Sequence, residues 1–247
     1  MIRDLWLVGI GTGSPAHISL EGQQALRDAG TILIPRKGPA KDDLAELRHR
    51  ILDAAGASAR VLHFDMPTRD DSLAYQDRVI AWHDEIARRW QSALSDGAEG
   101  PVALLVWGDP GLYDSTLRIA ERLSPKPAIR VVPGITALQA LTAAHAIPFN
   151  TVNGAVTVTT GRRLRDHGLP QESDTAIVML DGECSFQELD PEGLNIWWGA
   201  YLGMSEQILL SGPLAETGPR IIETRAKARA RHGWLMDVYM LRRGPAL

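Results

Sequence analysis

The apolar run Val102, Ala103, Leu104, Leu105, Val106, Trp107 stops at Gly108, Asp109, Pro110, Gly111. A run of this length closed by turn residues predicts a strand buried on both faces. A helical pattern follows, from Asp114 and Ser115 through Thr116, Leu117, Ile119 and Leu123. A doubly covered strand that turns into a helix belongs in a parallel sheet with helices on its faces. In such a sheet ligands sit beyond the carboxyl ends of the strands. Asp109 is therefore expected where a small molecule can reach it, with glycines that allow main chain to approach closely.

The same pattern recurs along the first half. Leu5 to Ile10 reads as a strand ending in the loop Gly9, Gly11, Gly13, followed by a helix from Ser19 through Asp28. Thr31 to Ile34 is a strand ended by Pro35, and Arg36 to Ala40 is a loop. Leu44, Leu47, Ile51 and Leu52 share a helical face, with Asp42 and Asp43 near the helix start, where negative charge is favoured. Val61 to Phe64 is a short strand, and Leu73, Val79, Ile80, Ile86 and Trp90 mark a long amphipathic helix. Arg130 to Val132 leads through Pro133 and Gly134 into a helix reaching His145. The segment from Pro148 to Gly154 reads as a boundary, giving an α/β domain over 1–148 and a second over 152–247. In the second half, strands are expected at Val156 to Thr160, Ala176 to Leu180, Ile196 to Leu202 and Trp234 to Leu241, which suits a mixed sheet.

Composition narrows the function. The 247 residues are 45% hydrophobic and 23% charged, with a formal net charge of −4, which argues against a general nucleic-acid binder. Cys184 is the single cysteine, so there is no intrachain disulfide and no cysteine metal cluster, and a reducing cytoplasm is the expected setting. No signal peptide and no apolar stretch of ~18 residues is present, so no membrane partner is expected. His17, His63, His83 and His145 lack metal-ligand spacing, and His83 reads as a packing residue. The pair Trp197, Trp198 reads as core.

Gly9-Ile10-Gly11-Thr12-Gly13 invites a dinucleotide-binding reading, but Ser14 stands where the third glycine of that fingerprint falls, and Ile34 and Pro35 end the next strand without a ribose-binding carboxylate. Backbone turn chemistry alone accounts equally well for this loop and for Asp109. Thr136, in the turn Val132 to Ala137, is either a helix N-cap or a ligand contact. Three such loops at three strand ends favour one shared site over three unrelated turns. Arg162, Arg163, Arg165 and the cluster Arg225, Lys227, Arg229, Arg231 are either solvated faces or clamps for a polycarboxylate.

Taken together, the loops over 9–15, 108–115, 132–141 and 179–182 resemble those of the tetrapyrrole methylase family, whose members transfer a methyl group from S-adenosylmethionine. Further stretches resemble one branch of it: Arg36 to Leu44, Thr159 to Leu164, Trp198 to Gly203 and Ala230 to Asp237. The resemblance implies a two-domain α/β homodimer that binds S-adenosylmethionine in a cleft between its domains and releases S-adenosylhomocysteine. It implies cofactor contacts at Gly108, Asp109, Leu112, Thr136, Ala137, Leu180, Asp181, Leu202, Gly203 and Met204. Thr12 replaces a family proline, and Asp181-Gly182 replaces a Met-Gly pair. The implied activity is C-methylation of precorrin-5 at C1, with the ring-junction acetyl group lost as acetate, during aerobic cobalamin formation. The alternative is a related methyltransferase acting on a neighbouring precorrin; a nicotinamide oxidoreductase and a non-catalytic binding protein are the readings from other classes. Hydrolytic loss of acetyl calls for a base and an oxyanion donor, for which Asp109, Tyr113 and Asp65 are candidates, while Arg36, Lys37, Arg69 and Arg162 are candidates for holding substrate carboxylates.

Overall fold

A computed structural model describes residues 2–36, 42–72, 74–95 and 97–244. The chain divides into two compact units, Met1–Thr136 and Ala137–Leu247. In the first, β1 (Asp4–Gly9), β2 (Thr31–Arg36), β3 (Arg60–Asp65), β4 (Val102–Val106) and β5 (Ala128–Val132) form one sheet in the order β3-β2-β4-β1-β5. Every pairing in it is parallel. Helices α1 (Leu20–Asp28) and α2 (Asp42–Ala55) pack together, as do α3 (Tyr75–Ala93) and α4 (Thr116–Ala120). Leu7, Leu33, Leu104 and Val106 meet Ile86, Trp90 and Ile119 in one core, while Val8 points the other way, toward Gly22 of α1. All five residues of β4 are buried, as a strand covered on both faces requires. Helix α1 starts where Ser19 accepts a hydrogen bond from the Gly22 N–H at 3.0 Å.

Two expectations shift here. Strand β2 runs on through Pro35 and Arg36, which stand opposite Phe64 and Asp65 of β3. Its pairing with β4 stops at Leu33, so the proline lies where one side of the strand carries no ladder. Helix α4 is short, ending at Ala120, although Leu123 beyond it is buried.

The second unit contains α5 (Ala137–His145), β6 (Val156–Thr160), α6 (Gly161–His167), β7 (Thr175–Met179), β8 (Leu194–Ala200), β9 (Ile208–Pro213), α7 (Leu214–His232) and β10 (Asp237–Arg243). Its sheet order is β6-β7-β10-β8-β9. Only β6 and β7 pair in parallel; β10 and β9 run antiparallel to their neighbours, so the sheet is mixed. Helix α5, grouped with the first half by sequence, packs on β8 and β10, and His145 Nε2 lies 3.0 Å from the Trp198 carbonyl oxygen. The compact units therefore divide before α5, ahead of the Pro148 to Gly154 stretch.

Strand β9 and helices α6 and α7 were not foreseen. In α7 the buried stripe is Leu214, Thr217, Gly218, Ile221 and Ala228; two of its five members are a threonine and a glycine, so its apolar period is faint among arginines. Strand β8 ends at Ala200, two residues early, because Tyr201 turns left-handed (φ 51°) and its N–H bonds to the Met236 carbonyl. Strand β10 starts at Asp237, after the Trp234 expected to open it. Trp197 and Trp198 are buried as expected, and so is His83.

Candidate active site

Because β4, β1 and β5 are adjacent, the three glycine-bearing loops fall side by side. The chain leaves β1 for α1 on one face and leaves neighbouring β4 for α4 on the other, so the carboxyl ends of this pair mark a topological switch point. The loops are locked at their roots. The Gly108 N–H donates to the Gly11 carbonyl at 2.8 Å, and the Gly11 N–H returns a bond to Gly108 at 3.3 Å. A β-carbon on Gly134 would lie 2.1 Å from the Gly108 carbonyl oxygen, and one on Gly9 would lie 2.6 Å from the Gly134 nitrogen. Only glycine allows main chains to approach this closely.

Asp109 ties the turn together. Its Oδ1 accepts from the Gly111 N–H at 2.7 Å, and its Oδ2 accepts from the Gly134 N–H at 3.0 Å. The carboxylate thus links the β4 turn to the β5 turn, and each oxygen already serves a backbone donor. Toward the rim the surface opens. A β-carbon on Gly108 (φ 64°) would find its nearest neighbour at 3.8 Å, the Thr136 Cα. Tyr113 follows in the left-handed region (φ 49°) and is 42% exposed, an uncommon posture for an aromatic residue. A closed root under a bare main-chain rim fits a small ligand laid against backbone.

The turn after β7 is held differently. Leu180 is left-handed (φ 54°) and 68% exposed, whereas the next side chain, Asp181, points inward and is buried. The Asp181 carboxylate accepts from the Glu183 N–H (3.0 Å), the Ser185 N–H (2.7 Å), the Ser185 hydroxyl (3.0 Å) and the Tyr239 hydroxyl (2.6 Å). Burial and this carboxylate push the Tyr239 phenol well above its ordinary value, so it stays a donor. Gly161 opens α6 beside it, where a β-carbon would lie 2.4 Å from the carboxylate. The Asp181 side chain, expected at the cofactor, is thus spent inside the fold. Arg225 fastens the same turn, donating to the carbonyls of Asp181 (2.8 Å) and Gly182 (3.1 Å) and pairing with Asp237 at 2.8 Å. Asp237 also accepts from the Trp198 indole at 2.9 Å. Arg225 therefore does not belong to a solvated basic face.

The remaining candidates spread over both units. Arg36 and Asp65 are brought together as register partners at the ends of β2 and β3, both exposed. Arg69 lies over the Trp82 ring at 4.3 Å. Lys37 lies outside the described residues. Arg162 is exposed on α6, near Arg165, which pairs with Asp166 and Glu183. Gly203 donates its N–H to Gln207 Oε1 at 2.8 Å, in the turn with Leu202 and Met204 that follows β8. Sequence reasoning missed Ser185, Tyr239 and Asp237, and the tie of Arg225 to this turn, because nothing in their spacing signals a shared partner. It also missed Arg48, on α2, whose guanidinium lies 4.9 Å from the centre of the Trp107 ring.

This parallel-sheet switch point with three glycine-locked turns is that of a methylase: the profile of the Tetrapyrrole (Corrin/Porphyrin) Methylases matches residues 4–218, and the chain belongs to that family. Methylases of the family take their methyl group from S-adenosylmethionine. The chain is 45% identical to the Precorrin-6A synthase [deacetylating] of Sinorhizobium sp, over 98% of this chain and 96% of that one. It is 25% identical to the Precorrin-2 C(20)-methyltransferase of Sinorhizobium sp, over 71% and 73% of the two chains. Among solved structures, a cobalamin synthesis related protein (CobF) of Corynebacterium diphtheriae superposes with a TM-score of 0.84 at 36% identity, covering 99% of this chain and 100% of that one. The uroporphyrin-III C-methyl transferase of Thermus thermophilus, solved with S-adenosyl homocysteine, shares the fold at a TM-score of 0.62 and 17% identity, over 97% of each chain.

Proposed function

We propose that the chain methylates precorrin-5 at C1 and releases the ring-junction acetyl group as acetate, giving precorrin-6A. The observation that carries this reading is the 45% identity, spread over nearly the whole of both chains, to a relative named for that deacetylating synthase. Bound S-adenosylmethionine supplies a sulfonium methyl that is already activated. For that transfer the chain's own task is to align the accepting carbon with the methyl group.

Gly108, Asp109, Leu112 and Thr136 present main chain to the cofactor in the first unit, with Asp109 acting as a positioning residue through the two N–H groups it holds. Ala137, Leu180, the main chain of Asp181, and Leu202, Gly203 and Met204 are the proposed positions in the second unit. Tyr113 and Asp65 are proposed for the proton transfers of acetyl hydrolysis, and Arg36, Lys37, Arg69 and Arg162 for gripping acidic side arms of the substrate. No helix among the described residues is long and apolar enough to cross a membrane. We place the working enzyme in the cytoplasm as a homodimer, in keeping with a single cysteine and with the resemblance of its motifs.

The test is incubation with precorrin-5 and methyl-labelled S-adenosylmethionine. Label in the corrinoid product and an equal amount of free acetate are expected. Methylation without acetate would move the enzyme to a neighbouring step. In a calorimetric titration S-adenosylhomocysteine should bind and NAD should not; failure of the first would remove the methylase activity itself.

A further inference from the structure

Arg48 is the most deeply buried charge of the first unit that the reading above leaves unused. Its residue is 6% exposed. One terminal nitrogen donates to the Leu44 carbonyl, a turn back on α2, at 3.1 Å. The Nε is buried and meets no acceptor among the described residues. Asp114 acts on the cation through space, but the two make no ion pair, and Asp114 Oδ1 accepts the Thr116 N–H at 2.6 Å instead. Burial lowers the guanidinium to about 10, which still leaves it charged at neutral pH. A buried cation with an unused donor costs stability, and an apolar side chain of similar length would fill the same volume without that cost. Packing therefore does not account for it.

Its place in the fold suggests what does. Side chains on a helix lean toward the N-terminus, and the N-terminus of α2 follows the carboxyl end of β2. The guanidinium lies over Trp107, which immediately precedes Gly108 of the β4 turn. Ile34 of β2 stands opposite His63 of β3. Arg36, two residues beyond Ile34, shares its face of the sheet. His63 Nε2 is 3.4 Å from His49 Nε2 of α2. Burial, the Arg36 charge and the His49 ring together hold the His63 imidazole below its ordinary value, as befits a group among cations. Arg36, His49 and His63 thus gather where β2 and β3 end, while Arg48, the residue before His49 on α2, lies at the end of β4 over Trp107, and neither arginine has an ion-pair partner among the described residues.

We propose that Arg48, backed by Trp107, is the floor of a subsite that holds a carboxylate of a bound ligand. A guanidinium takes a carboxylate by two parallel N–H···O bonds, and the unused Nε is one of the donors such a pair needs. The proposal rests on the function proposed above and deepens it. Two ligands bring a carboxylate to this place, namely the tetrapyrrole substrate on its side arms and S-adenosylmethionine on its amino-acid end.

Arg48→Met decides the matter, measured beside the wild type in the full chain. The expected result is an unchanged or raised melting temperature together with a rise of about tenfold or more in KM for precorrin-5, the loss expected of a charge-assisted contact. If KM for precorrin-5 holds and the Kd for S-adenosylhomocysteine rises by that factor instead, the carboxylate is the cofactor's. Both constants unchanged, or a fall in melting temperature with neither constant moved, overturns the subsite. Should the methionine variant fail to fold, Arg48→Lys keeps the cation but loses the fork. A rise of about threefold or more in one of the two constants is then expected, and none overturns the proposal. A wild-type protein that neither binds S-adenosylhomocysteine nor turns over precorrin-5 would instead sink the function on which the subsite rests.

Discussion

The turn after β4 and the turn after β7 each follow a buried strand and lead toward candidate cofactor positions, yet they are held in shape by different means. In the first unit main chain is clamped to main chain: Gly9, Gly11 and Gly134 leave no room for side chains, and one carboxylate, Asp109, ties two turns by backbone donors. In the second unit the main chain carries few constraints of its own. A buried carboxylate with four donors fixes the loop from inside, and Arg225 fixes it through two carbonyls. The first device fails when volume is added, and the second fails when a hydrogen-bonding group is removed.

Four substitutions press on that contrast, and urea unfolding measures each. Gly134→Ala should cost most, about 4 kcal/mol, because its β-carbon meets a carbonyl oxygen of fixed backbone at 2.1 Å. A cost under about 1 kcal/mol would show that these turns can slide apart. Asp181→Asn should cost about 3 kcal/mol. Two of the groups facing it are backbone N–H donors, and the new amide nitrogen cannot accept from either. Asp109→Asn leaves one backbone N–H without its side-chain acceptor at a partly exposed site and should cost about 1.5 kcal/mol. It should also weaken S-adenosylhomocysteine binding, since the turn it positions is the proposed cofactor wall. Gly182→Ala should be felt least, within about 0.5 kcal/mol, because nothing lies within 4 Å of the added carbon. A large loss there would mean that the second turn also relies on its backbone.

The same contrast explains what could be read in advance. The strand-to-helix alternation, the burial of β4 and the grouping of the three glycine loops were legible because glycine, proline and apolar runs state local geometry directly. The inward turn of Asp181, its tie to Tyr239 58 residues away and the pairing of Arg225 with Asp237 were not. Each depends on which strands become neighbours, and a polar residue reads alike whether it faces water or a buried partner. Helix α7 was hidden for a related reason, since threonine and glycine fill part of its buried stripe.

By itself, then, the sequence determined an α/β chain with a parallel first sheet, a mixed second sheet and a glycine-lined set of turns, because these follow from backbone freedom and apolar period. Tertiary structure decided the work of individual charges. It made Asp109 and Asp181 holders of loops and brought Arg225 in from the presumed surface. It also left Arg48 buried over Trp107 with a donor to spare. The physical reason is that a charge is assigned its role by its nearest partners, and those partners are chosen only when distant strands pair.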